Sequence, residues 1–365
     1  INAGGVSYAS YRVAAVMQEL TQYEPDVFIV FTAHNEFLER RTYADMFESS
    51  GWARRTRSLL MRTRTGSALE RLAKQIRPRE LPSDKAVLSG EVDEMLNHSI
   101  GPQQYHRDPK WRSQVLEHYE SNLRRMVTIA RDAGAALVFI TPASNEMDCS
   151  PFKSVVSEEL GEIKSRQFLD LLELAGNQSR GSSPQLALAS YTAAAAIDPR
   201  HADMQYRMGR VLHRLGHHDQ ARRAFSVAIN EDVCPLRAVN EITESLHRVA
   251  GEFGVPLVDF EERLRAKSLL EQGHACLGGD YFLDHVHPTP EIHKELSQWI
   301  LQTLGEAGVV KVSDVSRGQI DAVDAKISSQ IDSRAHGVAL RNLAKVLHWS
   351  GKFAEAAPRA IDALR

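Results

Sequence analysis

Residues 184–200 read PQLALASYTAAAAIDPR, and residues 218–234 read HDQARRAFSVAINEDVC. Aligned at a shift of 34 residues, Ala187, Tyr191 and Ala194 of the first stretch fall on Ala221, Phe225 and Ala228 of the second. Positions three and four apart share one face of a helix, so each stretch predicts a helix whose contact face alternates small residues with one aromatic ring. Asp198-Pro199 closes the first unit, and Leu215-Gly216 supplies a turn before the second. Gly209 lies 12 residues before Ala221, where a residue without a side chain lets two helices approach closely.

A 34-residue helix hairpin with this pattern resembles the tetratricopeptide repeat. A third copy of the frame appears at Leu343-Ala344, Ser350-Gly351 and Ala356, Ala360 and Ala363. The resemblance implies inserted repeats over 164–232 and a further repeat segment within 313–365, offering helix faces to a protein partner. One and a half repeats cannot cover their own apolar faces, so the insert is expected to pack on other parts of the chain.

Outside the repeats, three short apolar runs read as buried parallel strands: Asp26 to Thr32, Ala136 to Thr141, and Pro256 to Phe260. A helix-like stretch precedes each, with Gly134 or Gly254 near the stop of the second and third. Helix followed by strand, repeated, predicts a parallel α/β sheet covered on both faces, with ligands at the carboxyl ends of its strands. The chain opens on Ile1-Asn2-Ala3-Gly4-Gly5, which reads as a piece cut inside a domain.

Composition narrows the classes of function. The 365 residues are 43% hydrophobic and 25% charged with a net charge of −3, which excludes disordered and collagen-like chains and gives no field to steer nucleic acid. The arginines from Arg54 to Arg77 form a basic stretch that reads as a phosphate or polysaccharide patch or as a solvated helix face. Cys149, Cys234 and Cys276 form no CxxC pair, so they predict buried thiols, or a Cys234–Cys276 disulfide in an oxidising compartment. No cofactor-binding or metal-binding motif is present, neither GxGxxG, GxxxxGK[ST] nor HExxH.

Three loops carry residues suited to chemistry. In Asp284-His285-Val286-His287-Pro288-Thr289, an Asp three residues before a His can hold the imidazole and leave its other nitrogen free as a general base. A metal hydrolase using His285, His287 and Asp280 is a rival reading of the same loop. In Ala33-His34-Asn35-Glu36, the Asn35 amide can donate to an oxyanion, and the turn from Asn2 to Ser10 offers backbone donors at Gly5 and Ser7. Pro142 to Asn145 and Pro151 to Ser154 occupy the same expected edge, and Arg237 stands where the chain returns from the repeats, placed to brace them or to bind a carboxylate.

In this order the three loops resemble the SGNH (GDSL-type) hydrolases over roughly 1–163 and 233–312. The resemblance implies a three-layer α/β/α flavodoxin-like domain with a parallel sheet, interrupted by the helical hairpins. It implies an acyl-enzyme esterase acting on an ester-bearing small molecule or glycan, O-acetyl glycans included. Its roles are His287 as base, Asp284 as orienting acid, Asn35 as oxyanion amide, and Gly5 or Ser7 as backbone donor. The nucleophile block would lie upstream of Ile1, with Ser7 as the alternative nucleophile. Ala33 stands where the family has Gly, and Glu36 where it has Asp. The same resemblance leans towards an extracytoplasmic or membrane-anchored parent. A catalytically dead domain carrying an interaction scaffold is the other reading of the whole.

Overall fold

The computed structural model describes residues 1–5, 7–38, 105–181, 183–312, 315–330, 333–349 and 351–364; the expected basic stretch from Arg54 to Arg77 lies outside them. Helix α1 (Ser10–Leu20) leads into strand β1 (Val27–Phe31), and α2 (Pro109–Asp132) into β2 (Ala136–Ile140). Four helices follow: α3 (Glu162–Arg180), α4 (Pro184–Ile197), α5 (Ala202–Arg214) and α6 (His218–Asn230). Then α7 (Asn240–Phe253) returns the chain to β3 (Leu257–Val258), with α8 (Phe260–Gln272) and α9 (Pro290–Glu306) after it. Helices α10 (Arg317–Ser328), α11 (Ser333–Trp349) and α12 (Phe353–Asp362) complete the described chain.

The strands form one parallel sheet in the order β1-β2-β3, with Val27 opposite Ala136 and Phe139 opposite Leu257. Leu137 to Ile140 are buried on both faces of β2, because α1, α2 and α7 pack on one side and α8 and α9 on the other. At β1 the alternation is different: Phe28 and Val30 are buried, whereas Ile29 is 47% and Phe31 38% exposed. Local signals place the helix ends. The Asp108 carboxylate accepts from the Trp111 amide ahead of α2, and Gly254 closes α7 at φ 65°.

The expected three-layer flavodoxin-like SGNH fold is not what the chain adopts. A doubly wound domain needs a broad parallel sheet covered on both faces. Here the described sheet stops at three strands, β3 is two residues long, and one face of β1 is open. Helices make up 62% of the structure, consistent with a tetratricopeptide-like helical repeat protein.

The repeat block follows the aligned positions closely. Phe168, Ala175, Ala187, Tyr191 and Ala194 form one apolar cluster with Met204 and Val211 across α3, α4 and α5. Ala221, Ala224, Phe225 and Ala228 form the next with Tyr206 and Leu212. A Cβ placed on Gly209 would stand 2.7 Å from the Phe225 ring, so only glycine fits between α5 and α6 without movement. The α6 end of this short stack is covered by the sheet-bearing part of the chain: Cys276 and Met147 pack into the second cluster. The Asp232 carboxylate accepts from the Phe152, Lys153 and Cys234 amides, fastening the exit of α6 to the loop after β2. Helices α11 and α12 form a further hairpin, with Leu343, Leu347 and Ala356 buried together and Gly351 at φ 78° in the turn.

Candidate functional site

The chain from Phe282 to Pro288 is a tight loop, closed by a Phe282–Pro288 bridge and a Leu283 amide donating to the His287 carbonyl at 2.8 Å. Inside it the buried Asp284 carboxylate accepts from the Val286 and His287 amides at 2.7 Å each. Its second oxygen lies 2.5 Å from Nδ1 of His287, whose side chain is 70% exposed. Burial alone would raise the Asp284 pKa. The imidazoles of His285 and His287, with the hydrogen bonds from His287, hold it well below the usual carboxylate range. The result is an oriented imidazole with Nε2 directed away from its carboxylate, as general-base chemistry requires.

The loop after β1 lies beside it. His34 is half-buried, and its Nδ1 accepts from the Ala238 amide at 3.1 Å, which places its proton on Nε2. Burial drives His34 down to about 3, with His285, His287 and Arg237 adding to the fall and Asp284 opposing it. His285, whose side chain is 12% exposed, falls to about 4 for the same first reason. His34 Nε2 and His285 Nδ1 are both buried without a hydrogen-bond partner.

Asn35 donates its amide to the Tyr8 carbonyl at 3.3 Å, which joins the turn holding Gly5 and Ser7 to the loop after β1. Glu36 is 4% exposed and serves the scaffold: its carboxylate accepts from the backbone amide and the hydroxyl of Ser10, each at 2.8 Å. Ser7 has φ 59° and Ala33 φ 135°, two non-glycine residues in a region that favours glycine. A Cβ on Gly5 would lie 2.3 Å from the Tyr8 ring. The three loops therefore gather at one end of the sheet, but no hydrogen bond among the described residues joins Ser7 to His287. The rival metal reading is not assembled there: His287 pairs with Asp284, while Asp280 pairs with Gln272.

Arg237 is 2% exposed and donates to the carbonyls of Asn145 at 2.6 Å and Cys149 at 3.0 Å, so it braces the loop after β2. All three cysteines are buried free thiols, with Cys234 and Cys276 in separate apolar clusters.

A second surface lies on the repeats. Arg207, Arg210 and Arg214 stand at i, i+3 and i+7 on the exposed face of α5. Arg207 pairs with Asp203 at 2.8 Å and lies against Gly176 of α3, while Arg214 donates to the Ser179 carbonyl at 3.2 Å. Leu169, one heptad before Gly176 and 49% exposed, adds an apolar point on α3. Sequence reasoning missed this stripe because it aligned only the buried positions of the repeat. It also missed a group of three histidines and Cys276 where α5 and α6 meet the chain after α8, whose sequence signals are His213-x4-His218 and His274-x-Cys276.

Comparison with known proteins agrees with the repeat block: residues 182–233 match the tetratricopeptide repeat family. The match covers the aligned positions from Ala187 to Ala228 and includes no part of the three loops. Tetratricopeptide repeats commonly mediate protein–protein contact. Searches of curated proteins and of solved structures find no match to this chain.

Proposed function

We propose that this chain is a protein-interaction scaffold whose helical hairpins dock an acidic peptide segment of a partner. The observation that carries it is the arginine stripe on α5. Two of its side chains reach across to α3, at Gly176 and Ser179, and the carboxylates paired with the stripe among the described residues are Asp203 on Arg207 and Asp148 on Arg210. Guanidinium groups on a rigid helix bind carboxylates in a fixed fork at little entropic cost. Selection from a random peptide display library on the immobilised chain is expected to enrich sequences with acidic residues flanking an apolar one. A chain with Arg207, Arg210 and Arg214 all changed to Glu, its helicity verified by circular dichroism, is expected to lose that enrichment. Equal enrichment by the two proteins would end the proposal.

A second reading is favoured by one specific observation, the buried Asp284 holding an exposed His287 beside the loop of Asn35. In it the platform carries out acyl transfer, with His287 taking a proton from a serine and Asn35 leaving Tyr8 to donate to the oxyanion. Hydrolysis of p-nitrophenyl acetate lost on His287→Ala and strongly reduced on Asp284→Asn would support it. Equal rates in all three proteins would remove it.

A further inference from the structure

Where the α5–α6 turn meets the chain after α8, four metal-binding side chains come together from two distant parts of the sequence. His213 stands in the last turn of α5 and His218 opens α6, with Gly216 at φ 80° turning the chain between them. His274 and Cys276 follow the Gly273 cap of α8. The three imidazole rings face one another with centroids 4.6, 4.8 and 5.0 Å apart. One donor atom each from His213, His274 and Cys276 lies within 4.8 Å of the others. Nδ1 of His218 is 3.2 Å from Nδ1 of His213.

We propose that His213, His218, His274 and Cys276 form a structural site for a zinc-type divalent transition metal, tying the helical insert to the sheet-bearing part of the chain. Donors around a tetrahedral ion with bonds of about 2.0–2.3 Å stand roughly 3.4–3.7 Å apart. The His213–His218 pair, at 3.2 Å, is about 0.2 Å inside that spacing, and the wider group needs to contract by about 1 Å. Hydrogen bonding leaves the group incomplete: His274 is 9% exposed, and its Nδ1 is buried without a partner. The chain that presents it is fixed. Arg265 donates to both oxygens of Glu146 at 2.9 Å and to the Ala275 carbonyl at 2.8 Å, and Leu277 donates its amide to Glu146 at 3.0 Å.

Cys276 gives the proposal a chemical signature. Its sulfur lies 3.6 Å from the His218 carbonyl, placed as a thiol whose S–H donates to that oxygen. A metal would displace that proton to solvent, forming one metal–sulfur bond and releasing one proton for each ion bound.

The test is titration of the chelator-stripped full chain with cobalt(II) as the spectroscopic stand-in for zinc. One equivalent is expected to give tetrahedral visible bands with a thiolate-to-cobalt band in the near ultraviolet, and to release one proton. Zinc is expected to displace the cobalt and to raise the thermal midpoint of the wild-type chain, a readout that needs no variant to fold. Cys276→Ser is expected to abolish the near-ultraviolet band, and His213→Gln or His274→Gln to weaken binding at least tenfold. His287→Ala is expected to leave the spectrum unchanged. Absence of saturable binding by the wild-type chain would overturn the proposal, as would a thiolate band that survives in Cys276→Ser.

Discussion

Gly209→Ala isolates the packing rule on which the repeat block rests. In an exposed helix this substitution stabilises by about 1 kcal/mol, because alanine loses less backbone entropy. Here the new Cβ would stand 2.7 and 2.8 Å from two carbons of the buried Phe225 ring, roughly 1 Å inside van der Waals contact. The ring fills a pocket between Ala221, Ala224 and Tyr206 and cannot move without pushing α5 and α6 apart. Overpacking of this kind costs about 1–3 kcal/mol, so the net effect is a loss of roughly 0–2 kcal/mol after the helix gain. Urea unfolding followed by circular dichroism measures it. Phe225→Leu removes the obstructing carbons, so Gly209→Ala made in that background is expected to return to neutral or stabilising, a coupling of about 1–2 kcal/mol. If Gly209→Ala alone stabilises the chain, helix propensity has decided the outcome and the close α5–α6 approach is wrong.

Three further outcomes follow from the platform. Ala33→Gly relieves a φ of 135° at a buried position; strain of about 1–3 kcal/mol against a glycine entropy cost near 1 predicts a rise in thermal midpoint, and a fall would contradict the strained backbone. Acid is expected to destabilise the fold, because His34 and His285 titrate near 3 and 4 when folded and near 6.5 when unfolded, so the unfolded chain binds more protons over that window. The stability they confer is complete above 6.5 and falls with pH; by about pH 5 the pair loses roughly 3–4 kcal/mol, a loss that His34→Asn is expected to reduce in pH-dependent urea titrations. Glu146→Gln removes the bidentate carboxylate from Arg265, leaves it Glu261 as its remaining carboxylate partner, and is expected to cost about 1–3 kcal/mol by urea unfolding, where no measurable loss would show that the pair does not anchor the chain after α8.

The sequence made some of this legible for definite physical reasons. The repeats could be read because their contact positions must be small or aromatic at fixed helical spacing, and the Gly209–Phe225 contact shows why. The three strands could be placed because continuous apolar runs leave few alternatives, yet their number and length could not set the width of the sheet. The expectation of a broad SGNH sheet came from loop motifs, and loop motifs do not report how many strands lie beneath them. Asp284 and His287 pair as their spacing suggested, while Asn35 spends its amide on Tyr8 and Glu36 holds Ser10. The histidine and cysteine group escaped notice because its members stand 58 residues apart, at Cys276 and His218, and only the docking of the insert brings them together.

Hydrogen–deuterium exchange of the full chain, with and without a display-selected acidic peptide, addresses the central claim most directly. Docking on the helical hairpins predicts slowed exchange in α3 and α5, around Leu169 and from Arg207 to Arg214, with the loop from Asp284 to His287 unchanged. Protection confined to that loop, or none on α3 and α5 under saturating peptide, would contradict the scaffold reading.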